Sequence, residues 1–402
     1  MRALFIYSYG PPDDVVSAKH MGDFAENLNS KGYKVDFWCG NRSYRNPKVT
    51  YLKQEQIFGV NYERIANFGI KSVILRKVLN LFIFNLVLFK RIFFRKFLRD
   101  YDLIVTSTDP ILNFVLVSNL VKKFNDKTKI ILWSLDLYPE AFEASGKIKK
   151  SSFIYEALCW YANFGYKKID FFISIGECMT SRLSSYDIKN LEYLYPWALN
   201  DDHELSQDEA NLYRKKNYPL DKKILLLSGS FGYAHVSNKF FDFLDQINKM
   251  PNILLVCSIR GNKAKDVIDY INRNNINCIL KDFVPLKDLA NHLNSVDVHI
   301  TVVNEKWSGI VVPSKFFGSL HSGKPTLYIG PNSSEVSKVI NKHKTGWSCD
   351  NNFYEILQNI NDAPQMLIDE MSLNAKSYYK ENIVMAKQIE RILDKLKADL
   401  HD

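Results

Sequence analysis

The chain has 402 residues, of which 46% are apolar and 13% aromatic, so it can bury one or two large cores, and its composition excludes an intrinsically disordered protein. Its six cysteines stand singly without CxxC pairs, which excludes a disulfide-rich secreted framework and favours a reducing cytoplasm. The first seven residues lack the apolar run and cleavage site of a signal peptide and predict a strand instead.

The formal net charge of +9 is unevenly distributed along the chain. Residues 1–195 contain 28 lysines and arginines against 19 acids, whereas the remainder contains 25 of each. The first half is therefore expected to meet an anionic partner: membrane lipid, a phosphorylated acceptor or nucleic acid. Nucleic acid is the weakest of these, because no helix-turn-helix, RNP or zinc-finger spacing occurs.

The first half alternates short apolar runs with amphipathic stretches, which is typical of a doubly wound sheet. Strands are predicted at Arg2–Tyr7, Lys34–Cys39, Leu103–Ser107, Lys129–Trp133, Phe171–Ile175 and Leu191–Leu194. Apolar spacing near 3.6 predicts crossover helices at Ser17–Ser30, Asn113–Phe124, Ser152–Lys167 and Glu177–Leu183. The polar segment Pro196–Glu209 predicts a linker.

Residues 74–99 form an apolar run with seven Lys/Arg and no acid. Its uninterrupted apolar part is shorter than the roughly 20 residues that span a bilayer. The pattern favours a helix lying in the membrane interface, with apolar side chains in the lipid and cations on the phosphates. The structural alternative is a core helix with a basic exposed end, and one segment can do both.

The second half repeats the alternation. Strands are predicted at Lys223–Leu227, Ile253–Cys257, Asn277–Leu280, Val298–Val302, Thr326–Ile329 and Gly346–Cys349, and helices at Lys239–Asn248, Lys263–Arg273, Leu286–Leu293 and Lys315–His321. Two α/β units predict a ligand cleft at the carboxyl ends of their strands. We predict domains at 1–200 and 201–380, with a C-terminal helix at 381–402 that packs back on the first domain.

The segment Ser228–His235 follows a predicted strand and contains Gly229 and Gly232. A strand, a glycine turn and a helix start allow backbone N–H groups to approach a diphosphate closely. Two glycines are a weak signal, since any tight turn between a strand and a helix can carry them.

The segment Ser308–Pro325 carries a stronger signal. Pro313 and Ser314 are favourable helix-start residues, so free N–H groups, a hydroxyl and the Lys315 ammonium can converge on one anion. The alternative is a capped helix whose lysine faces water. Arg260 and Lys263, after another predicted strand, are further cationic candidates that can equally be solvated.

The order of these stretches over nearly the whole chain resembles the retaining GT-B glycosyltransferases of family 4, especially those of bacterial O-antigen and capsule assembly. The resemblance rests on a Tyr-Gly-Pro-Pro turn at 9–12, Trp-Ser-Leu-Asp-Leu-Tyr-Pro-Glu at 133–140, Gly-Ser-Phe-Gly at 229–232, Val-Pro-Ser-Lys at 312–315 and Gly-Lys-Pro at 323–325. Asp-Leu-Tyr-Pro-Glu and Val-Pro-Ser-Lys are most similar to the branch that includes aminofucose and colanic acid sugar transferases.

The resemblance implies two Rossmann-like domains that face each other across a cleft, with a nucleotide-sugar donor on the second. The implied donor-binding residues are Gly229, Ser230, Phe231, Gly232, Arg260, Lys263, Pro313, Ser314, Lys315, Ser334 and Glu335. Gly10, Pro11, Pro12 and His20 would face the acceptor. Asp136 is the first candidate for acceptor positioning or proton handling and Glu140 the second, although Asp136 can also be a loop residue that caps the next turn.

One departure from the family is the loss of its two glutamates spaced eight residues apart, which would fall near Ile310 and Gly318. The branch that this chain resembles shares the loss. Glu335, after Ser334, can take part of the ribose-binding role. The alternative is a helix N-cap followed by an acid in the first turn.

The resemblance further implies a metal-independent, cofactor-free reaction that retains the anomeric configuration. The Asp-Tyr-Asp sequence at 100–102 precedes a predicted strand, and no His/Cys cluster has metal-ligand spacing. The implied donor is a UDP-sugar rather than a GDP-sugar. The implied acceptor is lipid-linked or polysaccharide, at the inner face of a bacterial membrane.

Two alternatives remain open at this point. Sugar-nucleotide 2-epimerases share the two-domain architecture but need no lipid acceptor, so the basic apolar run at 74–99 counts against them. A non-catalytic partner protein that kept the fold is suggested by the missing glutamates.

Overall fold

The computed structural model describes residues 1–13, 15–94, 100–186, 188, 190–199, 206–282 and 284–401. The chain divides into two compact units. The first unit comprises Met1–Tyr195 with Ile389–Asp402, and the second comprises Pro196–Gln388.

The first unit is built on a sheet in the order β3-β4-β2-β1-β5-β6-β7-β8. Its strands are β1 Arg2–Ile6, β2 Lys34–Gly40, β3 Gln54–Ile57, β4 Val60–Ile65, β5 Leu103–Ser107, β6 Lys129–Trp133, β7 Phe171–Ser174 and β8 Leu191–Tyr193. β3 pairs antiparallel with β4, and the other neighbours pair in parallel. The strand order reverses between β1 and β5, which creates a switch point at the carboxyl edge of the sheet.

Helices cover both faces of this sheet. They are α1 Val16–Ser30, α2 Val73–Phe94, α3 Asn113–Phe124, α4 Glu140–Ala144, α5 Phe153–Tyr166 and α6 Glu177–Leu183. Phe84 of α2, Phe114 of α3 and Tyr166 of α5 share one core with the strand residues of one face. Phe24 of α1 packs edge-on against Trp133 from the other face, because successive side chains of a strand alternate.

The hairpin β3–β4 was absent from the prediction. Its two-residue turn places Phe58 at φ 45° and Gly59 at φ 81°, the backbone of a type I′ turn. Such turns are usually signalled by Asn-Gly or Asp-Gly, and here a phenylalanine occupies the first position. The missed hairpin therefore reflects an unusual turn residue.

The predicted interfacial helix is α2, whose bounds are Val73–Phe94; residues 95–99 of the predicted run lie outside the described part of the chain. Among the described residues, no helix is both long enough and apolar enough to cross a membrane.

The second unit has a sheet in the order β11-β10-β9-β12-β13-β14, and its neighbouring strands pair in parallel. Its strands are β9 Lys223–Ser230, β10 Ile253–Arg260, β11 Cys278–Leu280, β12 Val298–Val302, β13 Thr326–Ile329 and β14 Gly346–Cys349. Its helices are α7 Gln207–Asn217, α8 Asn238–Ile247, α9 Ala264–Arg273, α10 Leu286–Asn294, α11 Ser314–His321, α12 Glu335–His343, α13 Phe353–Asp362 and α14 Gln365–Asn382. The switch point lies between β9 and β12.

Two segments differ from the prediction near the linker. Residues 196–199 group with the second unit, and the Ala198 N–H donates a hydrogen bond of 2.8 Å to the Tyr379 hydroxyl. The observed boundary therefore precedes the predicted one at residue 200. α7 occupies part of the predicted linker, because the Ser206 side chain caps its first turn and Arg214 bonds to Asp297 at 2.8 Å. Residues 200–205 lie outside the described part.

The last helix, α15, spans Met385–His401, and its residues from Ile389 onward belong to the first unit. Arg391 donates to the Tyr193 carbonyl, and Lys395 pairs with Glu192, so the helix packs beside β8. Residues 381–388, assigned to the C-terminal helix in the prediction, group with the second unit.

Candidate functional site

The carboxyl edge of the second sheet gathers the loops that follow β9, β10, β12 and β13, because parallel strands end at the same edge. The loops after β9 and β12 flank the switch point. They are joined directly, since the Asn304 N–H donates to the Ala234 carbonyl at 2.7 Å and the Asn304 side-chain amide donates to the Val236 carbonyl at 2.7 Å.

Lys315 connects the two predicted phosphate-binding segments. It lies in the first turn of α11, and its Nζ donates a hydrogen bond of 3.1 Å to the Ser230 carbonyl. The same ammonium lies 5.4 Å from the centre of the Phe231 ring. A Cβ added to Gly229, at φ 97°, would lie 4.0 Å from Lys315 Cε. The structure therefore brings Lys315 to the Gly229–Gly232 segment.

The glycine segment itself differs from the prediction. β9 continues through Ser230 and pairs with β10 as far as Arg260, because Gly229 stays in register with Ile259. The turn begins at Phe231, and α8 starts only at Asn238, capped by the Ser237 hydroxyl. The strand–turn–helix unit is thus longer than predicted, and the helix N-terminus is separated from Gly229 by a loop.

A glycine in the neighbouring loop permits this turn to pack closely. The Phe231 N–H donates to the Arg260 carbonyl at 2.7 Å, and the Lys263 N–H donates to the Phe231 carbonyl at 3.2 Å. Gly261 has φ 127°, and a Cβ there would lie 2.6 Å from the Phe231 carbonyl oxygen. Only glycine fits at 261 without displacing the turn.

Burial sets the charge state of this edge. Desolvation lowers the pKa of Lys315 to about 8. Desolvation, followed by the charge of Lys315, lowers the pKa of His235 well below its usual range. His235 is held by the Gly232 N–H, which donates to its Nδ1 at 3.3 Å. At neutral pH the edge thus presents an ammonium beside a neutral imidazole.

The remaining predicted donor residues lie at the same edge with differing exposure. Pro313 is buried and occupies the N-cap of α11, while Ser314 is exposed in its first turn. Arg260 ends β10. Lys263 forms an ion pair of 2.6 Å with Asp266 and stacks over Tyr233 at 5.2 Å, so its ammonium already has a carboxylate partner.

In the first unit, the predicted acceptor turn follows β1 at the carboxyl edge. Gly10 is buried against Cys39, and the buried Arg64 donates to the Pro11 carbonyl at 2.5 Å. Pro11 and Pro12 form one turn that α1 packs against. His20 is only 2% exposed on the inner side of α1. Its side chain therefore offers almost no surface to an acceptor, unlike the prediction.

Asp136 lies at the switch-point edge with a second carboxylate, Asp109, that the prediction did not include. The Ser8 hydroxyl donates to Asp109 Oδ1 at 3.1 Å, and the Asp136 N–H donates to the Thr108 hydroxyl at 3.3 Å. Burial raises the pKa of Asp109 to about 6. Burial, then the charge of Asp109, raises the pKa of Asp136 to about 6. Two carboxylates with perturbed pKa at one edge are a functional-site signature.

No model of a known protein family matches the chain. The probable glycosyltransferase WbjE of Pseudomonas aeruginosa is 24% identical over 260 residues, which cover 62% of this chain and 63% of that protein. The chain therefore spans less than two thirds of the length of this relative.

Solved structures match over the whole chain. Anabaena Alr3699/HepE in complex with UDP and glucose superposes with a TM-score of 0.71 at 11% identity, covering 99% of this chain and 100% of that one. WaaG, a glycosyltransferase involved in lipopolysaccharide biosynthesis, superposes with a TM-score of 0.67 at 12% identity, covering 98% and 99%. The chain has the GT-B fold.

In this GT-B chain the positions expected for the two family glutamates hold apolar groups. Ile310 is fully buried, and Gly318 lies in α11 beside Leu293. Ser334 caps α12 by accepting a hydrogen bond from the Ser337 N–H, and Glu335 is buried in the first turn. Ser334 and Glu335 are therefore the N-cap and the first-turn acid of the alternative interpretation.

A cleft of about 340 Å³ lies at the same GT-B edge. Its walls come from the loops after β9, β12 and β13: Val236, Ser237, Asn238, Lys239, Val303, Asn304, Glu305, Ile329, Gly330 and Pro331. Glu305 is an exposed acid at the start of the short helical turn Glu305–Trp307 that follows β12, and the sequence prediction did not include it. Its position after a buried strand was the signal that could have identified it.

Glu140, the second catalytic candidate, lies at the start of α4, shortly after Asp136 in the chain, where it is buried. The Tyr186 hydroxyl donates to its Oε1, and its charge contributes to raising the pKa of Tyr155 after the larger effect of burial. Glu140 is thus enclosed by tyrosines.

Asp109 follows β5 as Asp136 follows β6. This repetition was the sequence signal that could have identified Asp109.

Within the described residues, no group of three or more His, Cys, Asp and Glu side chains is arranged to hold a metal ion. Asp102 of the Asp-Tyr-Asp sequence accepts a hydrogen bond from the Arg2 N–H at 2.7 Å, and Tyr101 donates to Asp36 at 2.7 Å. These contacts belong to the amino-terminal edge of the first sheet.

Proposed function

We propose that the chain is a glycosyltransferase that moves a sugar from a nucleotide sugar to a hydroxyl acceptor. The observation that carries this proposal is the hydrogen bond from Lys315 to the Ser230 carbonyl, which joins a helix N-terminus, an ammonium and a glycine segment at the switch point of a GT-B sheet. The named relative and the superposed transferases support it.

The donor diphosphate would bind to the second unit. Breaking the anomeric C–O bond leaves negative charge on the diphosphate, so stabilising that leaving group is the main chemical task. Lys315 would supply a charge-assisted hydrogen bond, and the free N–H groups at the start of α11 would add their dipoles. Arg260, Ser314 and the backbone of Gly229–Gly232 would complete the set.

The acceptor would bind to the first unit at Gly10–Pro12 and the carboxylates Asp136 and Asp109. Its hydroxyl oxygen forms the new bond to the anomeric carbon, while the bond to the diphosphate breaks on the same face and the proton passes to a leaving-group oxygen. The configuration is thereby retained. Asp136 would orient the hydroxyl by accepting its hydrogen bond.

The finer assignments are a UDP-sugar donor, a lipid-linked or polysaccharide acceptor of bacterial surface glycan synthesis, and a peripheral position at the cytoplasmic face of the membrane. UDP in HepE and the lipopolysaccharide role of WaaG support the first two. The exposed apolar side chains of α2, such as Phe82, support the third. We also propose that neither a metal nor another cofactor is required.

The test is turnover of a panel of UDP- and GDP-sugars by the whole protein and by Lys315→Ala. We expect hydrolysis or transfer of at least one donor, and a loss of about two orders of magnitude in Lys315→Ala, because the leaving diphosphate loses its ammonium. Lys338→Ala removes an exposed lysine of α12 and serves as the matched control.

Three results would contradict the proposal. Isomerisation of the donor without transfer would indicate a 2-epimerase, and absence of nucleotide binding would indicate a non-catalytic partner. Equal turnover by Lys315→Ala and Lys338→Ala would remove Lys315 from the site.

A further inference from the structure

We propose that α2 and α5 together form one face of the first unit that lies on an anionic lipid bilayer, with the aromatic side chains of α5 entering the interface. The inference deepens the proposed function, because its biological purpose rests on a lipid-linked acceptor. The new element is α5, which the sequence predicted only as a crossover helix and which here joins α2 in the lipid-facing surface.

The exposed side of α5 is apolar. Phe153 is 83% exposed and Trp160 is 71% exposed, and Ile154, Tyr161 and Phe164 are also exposed. The opposite side packs tightly, since a Cβ on Gly165 would lie 2.9 Å from Val115 Cα of α3. Trp160 and Phe164 stack on each other with ring centres 6.1 Å apart, and neither belongs to the core that the packed side of α5 joins. Clustered large apolar side chains of this kind mark an interaction surface.

α2 also has an exposed apolar side, and it packs on the same face of the sheet as α5. Its buried residues Phe84, Leu88 and Ile92 join the core shared with α3 and α5. Its exposed apolar residues are Val73, Ile74, Leu75, Val78, Phe82, Leu86, Phe89, Phe93 and Phe94. Phe93 contacts Phe124 at the end of α3, with ring centres 5.5 Å apart. α3 packs against both helices, so the two apolar sides belong to one surface.

The charges around this surface identify the partner as an anionic bilayer. Exposed lysines lie in α2, near the end of α3, and immediately before and after α5: Lys90, Lys123, Lys149, Lys150, Lys167 and Lys168. The sequence of α5 contains one acid, Glu156, and that of α2 contains none. A second copy meeting the same surface would bring like charges together, whereas anionic headgroups are attracted to it.

The surface reaches the edge that carries the candidate acceptor site. A crossover helix runs opposite to the strands that it connects, so both helices begin at the carboxyl edge of the sheet. Burial raises the pKa of Asp109, and the charge of Lys77, near the start of α2, partly offsets that rise. The start of α2 therefore lies within electrostatic range of Asp109. The head group of an acceptor anchored in the bilayer would thus approach the carboxylates from the side of α2.

Trp160 provides a direct reporter. Trp38, Trp133 and Trp197 are buried, Trp307 and Trp347 of the second unit are half-buried, and Trp160 is strongly exposed. We expect vesicles of phosphatidylcholine with about a third phosphatidylglycerol and brominated acyl chains to quench the fluorescence of the whole protein. Trp160→Phe, which keeps an aromatic side chain, should bind the vesicles with that quenching largely lost. Equal quenching in both proteins would overturn the role of α5.

Affinity is tested by the triple variant Phe153→Ser, Ile154→Ser and Phe164→Ser. It should lower vesicle partitioning by about tenfold or more, because three apolar side chains no longer enter the lipid. Met366→Ser with Leu373→Ser removes comparably exposed apolar residues from α14 and should leave partitioning unchanged. Circular dichroism checks that each variant is folded.

The outcomes separate this inference from the proposed function. Unchanged vesicle binding by the triple variant, or self-association through this face without vesicle binding, overturns the inference while UDP binding stands. Vesicle binding in a protein that binds no nucleotide overturns the proposed function and leaves the lipid face in place.

Discussion

At the scale of single residues, the candidate binding group Lys315 is kept at a cost to stability. Desolvation lowers its pKa to about 8. The ammonium is charged at neutral pH, and its burial therefore reduces the free energy of unfolding. That contribution becomes less unfavourable as the pH rises from about 8 towards the unfolded pKa. An anionic ligand would offset the same penalty, and a charge held in this way is typical of binding sites.

Asp109 carries a stability prediction with a defined pH window. Its folded pKa of about 6 lies above the unfolded value of 3.8, so the folded state binds more protons between these values and loses stability as the pH rises through them. Asp109→Asn should therefore raise the free energy of unfolding by about 1–2 kcal/mol at pH 8 and have little effect at pH 4. The half-buried carboxylate keeps some hydration, which limits the gain.

Denaturant unfolding at several pH values measures this difference. Asp126→Asn, which removes an exposed acid from the same unit, controls for the change in net charge. If the stabilisation by Asp109→Asn were the same at pH 4 and pH 8, the raised pKa of Asp109 would be wrong.

At the scale of elements, the contact between the loops after β9 and β10 should depend on Gly261. Gly261→Ala should destabilise the protein by about 2–3 kcal/mol, because its Cβ would lie 2.6 Å from the Phe231 carbonyl oxygen at a φ of 127°. We also expect UDP affinity to fall by about tenfold as the turn is displaced. Thermal unfolding and calorimetric titration measure the two effects.

Gly32→Ala provides the matched control. Gly32 also has a positive φ, 89°, but an added Cβ would have no atom within 4 Å. Backbone strain alone should cost about 1 kcal/mol, with UDP affinity unchanged. Equal effects of the two substitutions would show that the contact with Phe231 does not position the turn.

The regular elements could be predicted because their sequence periods are unambiguous. β5, β6, β12, β13 and β14 have the predicted bounds, and all of them except β14 are short, mainly apolar runs. α7 could not be predicted in the same way, because Ala210 is its buried residue and its stability comes from a cap and from Arg214. The formation of such a helix depends on contacts between residues that are distant in the sequence. A local sequence pattern does not reveal these contacts.

The candidate site likewise has features that the sequence could predict and features that it could not. The cluster of Lys315 with Ser230 follows from the rule that parallel strands end at one edge, so the sequence could place both there. The end of β9 could not be located, because its continuation through Gly229 depends on pairing with β10. Asp109 follows β5 as Asp136 follows β6, which is a sequence signal, but its burial and its hydrogen bond from Ser8 appear only in the structure.

At the scale of the whole molecule, charge and chemistry are distributed between the two units. The excess of cations lies in residues 1–195, which form the unit with the apolar helices α2 and α5. The proposed diphosphate site lies in the second unit. There, a few individually placed cations such as Lys315, rather than a general excess of positive charge, would bind the anion. The proposed attraction to a bilayer and the proposed binding of a donor would therefore use different residues, so we expect that substitutions can remove each one separately.

Lys315 and the segment Gly229–Gly232 are proposed to hold the donor diphosphate. Calorimetric titration of UDP and of uridine into the wild-type protein and Lys315→Ala tests this proposal most directly. We predict that the substitution weakens UDP binding by about 10- to 100-fold and leaves the much weaker binding of uridine unchanged, because only UDP carries the diphosphate. An equal affinity of both proteins for UDP would contradict the claim.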